Sequence, residues 1–198
     1  MKLMRLFLIT FLVSSLSGCV GLFIAGAATT VNIATDPRST KEILDDNNLA
    51  LEVNGLNNKA PFQQNVRISA NSFRGSVLLI GQAKTEADLE QFVTKVNGLS
   101  GVKKVHNKVK IKTPLGLSEI SNDSWITTKV KSALLTESKL NGVKVTVITE
   151  DSEVYLLGYL TREHADIATE VARHIKGVKQ VIRCLLYTSD AADDCWSV

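Results

Sequence analysis

The sequence lacks several features that would each indicate a particular class of protein. Its three histidines have no metal-ligand spacing with its three cysteines. Neither a glycine-rich phosphate loop nor a nucleophile elbow is present. The apolar run near the N-terminus, "LFLITFLVSSL", is too short to span a bilayer. Because metal-binding and catalytic motifs are missing, we predict no enzyme, no catalytic residue, no metal and no cofactor.

Acidic residues are missing from 91–118, a stretch that holds six lysines. They are Lys95, Lys103, Lys104, Lys108, Lys110 and Lys112. Two interpretations stay open, a solvated edge strand protected by lysines or a surface that faces anions. The whole chain carries a formal net charge of +3. Global charge therefore indicates no particular partner.

The N-terminus has the pattern of an exported protein. Lys2 and Arg5 precede the apolar run, which has the length of a secretory signal and ends in "LSGC". This ending resembles the lipobox of bacterial lipoproteins, in which the cysteine is diacylated and becomes the mature N-terminus. We predict a signal peptide at 1–18, lipidation of Cys19, and an acylated N-terminus and tether at 19–44. In similar lipoproteins, an aspartate directly after the cysteine prevents export to the outer membrane. Val20 stands at this position here, so the resemblance implies an outer-membrane anchor that faces the periplasm.

An internal repeat organises the rest of the chain. Leu49 aligns with Ile126 and Val53 with Val130, both at an offset of 77. Gly81 aligns with Gly158 at the same offset, within "VLLIG" and "VYLLG". Two copies of one small domain account for this regularity.

Each copy has the pattern helix, strand, strand, helix, strand, so the predicted fold class is α+β, with two helices packed on one face of a three-stranded mixed sheet. Thr85 and Thr161 are predicted helix caps, and Asp45-Asp46 a cap or solvated turn. In the last helix, the expected apolar stripe is Ile167, Val171 and Ile175. The predicted boundaries are 45–112 for the first domain, 113–121 for the linker and 122–183 for the second domain. This short linker predicts contact between the domains.

These segments resemble the BON domain, an αββαβ module of the bacterial envelope. "VLLIG", "VYLLG", "GVKKV" and "GVKQV" match its strands, while "ATDPRS" and "SNDSWITTKVKSALL" resemble dual BON-domain outer-membrane lipoproteins. The resemblance implies a protein that binds anionic phospholipid through the first helix of its second domain and supports outer-membrane integrity.

The two repeats differ most on the outer face of this helix. Asn48, Glu52 and Asn54 of the first copy become Trp125, Lys129 and Lys131 in the second. An indole and lysines suit an acidic headgroup layer. The candidate lipid-binding residues are Trp125, Lys129, Lys131, Ser132 and Leu135, with the free N–H groups of a helix start expected nearby. In the alternative interpretation, Trp125 packs against the first domain.

Two further questions stay open. Residues 184–198 resemble an appended, non-native tail, and the alternative is a hairpin closed by Cys184 and Cys195. The alternative function is an envelope scaffold that binds a protein or peptidoglycan, with outer-membrane assembly or peptidoglycan-remodelling proteins as partners. A signal peptide argues against nucleic acid as a partner.

Overall fold

A computed structural model describes residues 38–187 and 195–197 of the chain. The predicted lipidation site, Cys19, lies outside these residues. Within the described part, no helix combines the length and apolar character needed to cross a membrane.

The first domain follows the predicted order. Its elements are α1 (Thr40–Leu56), β1 (Val66–Phe73), β2 (Ser76–Ala83), α2 (Glu86–Asn97) and β3 (Lys104–Ile111). β2 lies in the centre of the sheet, antiparallel to β1 and parallel to β3. This is the mixed sheet that the sequence pattern predicted.

The second domain repeats this arrangement. Its elements are α3 (Leu117–Thr136), β4 (Thr146–Glu150), β5 (Glu153–Leu160), α4 (Arg162–Arg173) and β6 (Gln180–Tyr187). β5 is antiparallel to β4 and parallel to β6. A short strand, β7 (Cys195–Ser197), adds a fourth member to the sheet.

β6 continues beyond Arg183, so the domain boundary predicted at this residue falls inside a strand. β7 pairs antiparallel with β6 and lies opposite it at Cys184, which is disulfide-bonded. The non-native origin of residues 184–198 stays a prediction.

Helix capping explains where the helices begin. Thr85 and Thr161 accept hydrogen bonds from the third residue of α2 and α4, as predicted. α1 begins at Thr40, before the predicted boundary at 45, because Ser39 and Glu42 form a capping box. α3 likewise begins at Leu117, so its first residues come from the predicted linker.

Each core fills the space between the helices and one face of the sheet. In the second domain, α4 contacts the core through Ala165, Ala168 and Ala172, all fully buried. The residues predicted to form the apolar stripe, Ile167, Val171 and Ile175, do pack against this core but are only partly buried. The prediction was therefore wrong about which residues form the centre of the buried face. Alanine lets a helix approach a sheet more closely than larger side chains allow.

Two buried aspartates attach the first helix of each domain to the adjacent hairpin. Asp46 accepts hydrogen bonds from the backbone N–H groups of Arg74 and Gly75, at 2.7 and 3.0 Å. Asp123, its equivalent in the second repeat, accepts from Asp151 and Ser152, both at 2.8 Å. The interpretation of Asp46 as a solvated turn residue was therefore wrong, since its carboxylate satisfies backbone donors of a tight turn.

The outer faces of the two sheets pack against each other. Leu78 and Ile80 of β2 form one buried cluster with Tyr155 and Ile182 of the second domain. Their sequence neighbours point to the opposite faces of the sheets, into the two helix-covered cores. The helices of the two domains therefore lie on the outer sides of two stacked sheets, and the predicted contact between the domains is confirmed.

Ion pairs also join the two domains. Lys110 pairs with Glu153, and Lys112 with Asp151 at 3.0 Å. Burial would raise the pKa of Asp151, but the hydrogen bond and charge of Lys112, with other lysines nearby, lower it below its usual value. Part of the lysine-rich stretch thus does lie on an edge strand, β3, but Lys110 and Lys112 pair with carboxylates of the second domain.

Glu150 is the most buried carboxylate of this interface. It accepts a hydrogen bond from Gln82 at 2.7 Å and pairs with Arg67 of β1. Burial raises the pKa of Glu150, although Gln82 and Arg67 both oppose this rise. The paired charge and hydrogen bond compensate part of the cost of placing a carboxylate between two domains.

Candidate functional site

Large apolar side chains project into solvent along α3. Trp125 is 62% exposed and Leu135 is 81% exposed, and both were predicted to lie outside the core. Leu117, which the sequence analysis did not single out, is 86% exposed. At 100° and about 1.5 Å per residue, the three side chains occupy a sector of about 80° over roughly 27 Å of helix. We call Leu117, Trp125 and Leu135 the apolar ridge.

The polar residues beside this ridge bond mainly to their own helix. The hydroxyls of Ser124 and Thr128 donate to the carbonyls of Ile120 and Ser124, at 2.9 and 3.0 Å. Thr136 donates to the carbonyl of Ala133 at 2.9 Å. These bonds satisfy the hydroxyl donors internally, which lowers the cost of transferring this face from water to a less polar medium.

The two predicted lysines of α3 have different environments. Lys131 and Ser132 are exposed. Lys129 is partly buried, and its ammonium donates a hydrogen bond to the backbone carbonyl of Lys176. The prediction that the lysines share one solvated outer face was therefore correct for Lys131 and wrong for Lys129, which contacts the loop between α4 and β6.

The ridge tryptophan lies well inside its helix. α3 begins at Leu117, two turns before Trp125, and Glu119 already accepts a hydrogen bond from the Gly116 N–H at 2.8 Å. The expected contribution of free N–H groups beside Trp125 was therefore wrong, because these groups occur only at the first turn. The alternative in which Trp125 packs against the first domain is also wrong, given its exposure.

The inner side of α3 fixes the orientation of the ridge. Ile126, Val130 and Leu134 are buried in the second core, as the helical spacing predicted for this face. Asp123 holds this helix to the β4–β5 turn, and Thr127 bonds Thr149 of β4 at 2.7 Å. The exposed side chains are therefore carried by a helix with little freedom to rotate.

The equivalent surface of the first domain has a different character. A groove of about 450 Å³ runs between α1 and the turn before β3. Its lining includes Asp45, Asn48, Glu52 and Ser100. Asn48 and Glu52 occupy the positions of Trp125 and Lys129, so the two domains present unlike surfaces on one shared framework.

Comparison with known proteins gives matches over most of the chain. The BON domain family matches residues 45–113 and 122–187. The outer membrane lipoprotein DolP of Haemophilus influenzae is 37% identical over 173 residues, covering 87% of this chain and 90% of that protein. The 21 kDa hemolysin of Actinobacillus pleuropneumoniae is 40% identical over 153 residues, covering 77% and 79%.

Among solved structures, CdsD, a structural protein of the type III secretion system of Chlamydia trachomatis, is similar at 23% identity. The match covers 72% of this chain and 63% of that one, with a TM-score of 0.29. The family match and the identity to the Haemophilus protein support one conclusion. This chain belongs to the BON-domain family and is a dual BON-domain outer-membrane lipoprotein.

Proposed function

We propose that this lipoprotein binds anionic phospholipid through the outer face of α3 and thereby supports the integrity of the outer membrane. The apolar ridge carries the proposal, since three large apolar side chains are exposed along one helix whose inner face is already buried. Isolated exposed apolar residues are ordinary, whereas an aligned set on a rigid element is typical of an interaction surface.

The chemistry of the ridge fits a membrane interface. Indole resides favourably at the headgroup level, where its ring contacts acyl chains and its N–H stays hydrated. Leu117 and Leu135 extend the apolar contact on both sides of Trp125. Lys131 lies beside them, and a lysine near an anionic surface contributes about 1 kcal/mol. Together these side chains make a moderate, salt-sensitive contact that adds to an acyl anchor.

The first test uses the fluorescence of Trp125. The chain has two tryptophans, so Trp196→Phe leaves Trp125 as the reporter. Vesicles rich in phosphatidylglycerol are expected to shift its emission to shorter wavelength, and phosphatidylcholine vesicles to leave it unchanged. Added salt should reduce the shift, because the Debye length is about 8 Å at physiological ionic strength. An equal response to both vesicles would contradict the proposal.

A matched pair of variants separates this face from general hydrophobicity. Trp125→Asn introduces the residue of the first repeat, and Leu51→Asn removes a 68% exposed leucine from α1. In flotation of the unlipidated protein with phosphatidylglycerol vesicles, Trp125→Asn should lose most of the binding and Leu51→Asn should retain it. Equal losses of vesicle binding in the two variants would show that binding does not depend specifically on the outer face of α3.

An envelope scaffold is the second candidate function, and one observation favours it. Leu44 and Leu51 are exposed on α1, seven residues apart and beside Asp45 and Glu52. An apolar strip with acidic borders is suited to a protein partner and poorly suited to an anionic membrane. If scaffolding is the main role, Leu44→Asn with Leu51→Asn should impair the cell envelope although vesicle binding is unchanged.

A further inference from the structure

The loop between α4 and β6 lies directly against α3, next to the proposed lipid-binding face. Lys129 bonds the carbonyl of Lys176 in this loop. The next residue, Gly177, has a φ of 106°, and a Cβ there would lie 3.3 Å from the Ile126 side chain. This close approach places the backbone of residues 176–177 on the flank of α3.

Lys176 differs in its ion pairing from the other basic residues near this loop. No acidic residue occurs from 171 to 183, but most of the basic residues in this stretch pair with carboxylates that lie outside it. Arg173 and His174 pair with Glu170, Lys179 with Asp151, and Arg183 with Asp166. Lys176 is exposed and has no ion-pair partner in the described part of the chain.

Comparison of the two repeats shows that Lys176 and its neighbour Lys129 both differ from their counterparts in the first domain. The turn "GVKQV" of the second repeat aligns with "GVKKV" of the first, which places Lys176 at the position of Ser100. Ser100 and Glu52 line the groove of the first domain. In the second domain the corresponding residues are Lys176 and Lys129, so a polar and an acidic side chain are both replaced by lysines on the side of the helix that carries Trp125.

We infer that Lys176 is a headgroup-binding residue, and that Lys129 is a positioning residue that holds the Lys176 loop beside the apolar ridge. This inference rests on the proposed function and adds a second structural element to the membrane contact. Lys131 and the Lys176 loop then flank the ridge on opposite sides of α3, so anionic headgroups bind on both sides of the inserted apolar residues.

The direct test is the binding of Lys176→Ser and Lys176→Glu to phosphatidylglycerol vesicles. Lys176→Ser introduces the residue of the first repeat and should weaken binding about five-fold, with a larger loss for Lys176→Glu. The control is Lys95→Glu, at an exposed lysine of α2, which changes net charge equally and should have little effect. Similar losses for Lys95→Glu and Lys176→Glu would overturn the inference.

A double-mutant cycle tests the positioning role of Lys129. Lys129→Met should weaken binding in the parent protein but add little in the Lys176→Ser background, since its effect acts through Lys176. Additive losses would instead mean that Lys129 binds headgroups independently, which overturns its positioning role. Circular dichroism of each variant confirms that the fold is retained.

Trp125→Asn, measured in parallel, separates the two proposals. If it abolishes binding while Lys176→Glu binds as the parent does, the proposed function stands and the inference about Lys176 falls. If Trp125→Asn binds normally, the proposed function itself fails. Excess inorganic phosphate should not compete at constant ionic strength, and competition would show a site for free phosphate in place of a membrane contact.

Discussion

At the scale of single residues, the buried aspartates of the first helices have the clearest structural role. Arg74, Asp151 and Ser152 have positive φ, with values between 51° and 64° that non-glycine residues rarely adopt. Asp46 and Asp123 accept the N–H groups of these turns, so one carboxylate in each domain stabilises a turn that its own residues disfavour. Burial alone would raise the pKa of Asp46, but the hydrogen bonds from Gly75 and its other donors lower it.

We predict that Asp123→Ala lowers the free energy of unfolding by about 1–3 kcal/mol, because two backbone donors lose their buried acceptor. Urea denaturation followed by circular dichroism measures this loss. Asp45→Ala is the control, since Asp45 is exposed and forms only a surface pair with Lys41. An Asp123→Ala variant as stable as the Asp45→Ala control would contradict this account of the turn.

At the scale of elements, the small side chains of α4 set its distance from the sheet. Ala165, Ala168 and Ala172 are fully buried, while Ile167 and Val171 lie at the border of the core. In the strands, Gly81 plays a comparable part, since a Cβ there would lie 2.0 Å from the Arg67 carbonyl oxygen. Both features depend on close approach between backbones, which a hydrophobic pattern alone does not encode.

Overpacking this helix provides the prediction at this scale. Ala168→Leu should destabilise the second domain by about 1–3 kcal/mol, because Ala168 is fully buried in the core and three further carbon atoms would overpack it. Ile167→Leu, a change of shape at constant volume at the border, should cost less than about 1.5 kcal/mol. Thermal unfolding of both variants measures the difference, and equal stability would mean that α4 shifts freely on its sheet.

At the scale of the whole molecule, the stacked sheets join the two domains through apolar and charged contacts. The linker takes part, since the Leu115 N–H donates to Gln82 at 3.3 Å and Leu115 is buried. The helices lie on the outer sides of the stack, so the ridge on α3 and the groove beside α1 belong to different outer layers. The proposed membrane contact of the second domain would thus leave the surface of the first domain open to other contacts.

The pH dependence of the interface follows from Asp151. Its pKa is lowered in the folded state, so the Lys112 contact stabilises above the unfolded Asp pKa, near 3.9, and is lost as pH falls through the lowered value. Glu150 acts with the opposite sign, since burial raises its pKa and the folded state takes up a proton more readily.

Asp151→Asn separates these two contributions. Asparagine tolerates the positive φ at this position, so the substitution removes the charge and keeps the turn. We expect a loss of about 1 kcal/mol or less at pH 7 and a smaller loss at roughly pH 3, which lies below the unfolded Asp pKa, measured by urea unfolding. A loss that is equal at both pH values would show that the Lys112–Asp151 pair does not contribute as a charge pair.

How far the sequence predicts this protein can be judged from particular residues. The offset of 77 and the helix caps Thr85 and Thr161 correctly predicted the order of elements in both domains, because hydrophobic spacing and capping are local signals. The buried positions of Ile126 and Val130 and the exposure of Trp125 also followed from helical spacing. The start of α3 was misplaced because Gly116 and Glu119 form a weak capping signal.

Local patterns in the chain are sufficient to predict the two α+β units and the exposed aromatic on α3, since these depend on the periods of helices and strands. Tertiary structure decided which charges are free for binding. Lys110 and Lys112 bind the second domain, and Lys129 bonds the Lys176 loop, although all three read as solvated lysines in the chain. The physical reason is that a long cationic side chain takes its partner from elements distant in sequence, and only the packing of sheets and loops places that partner within reach.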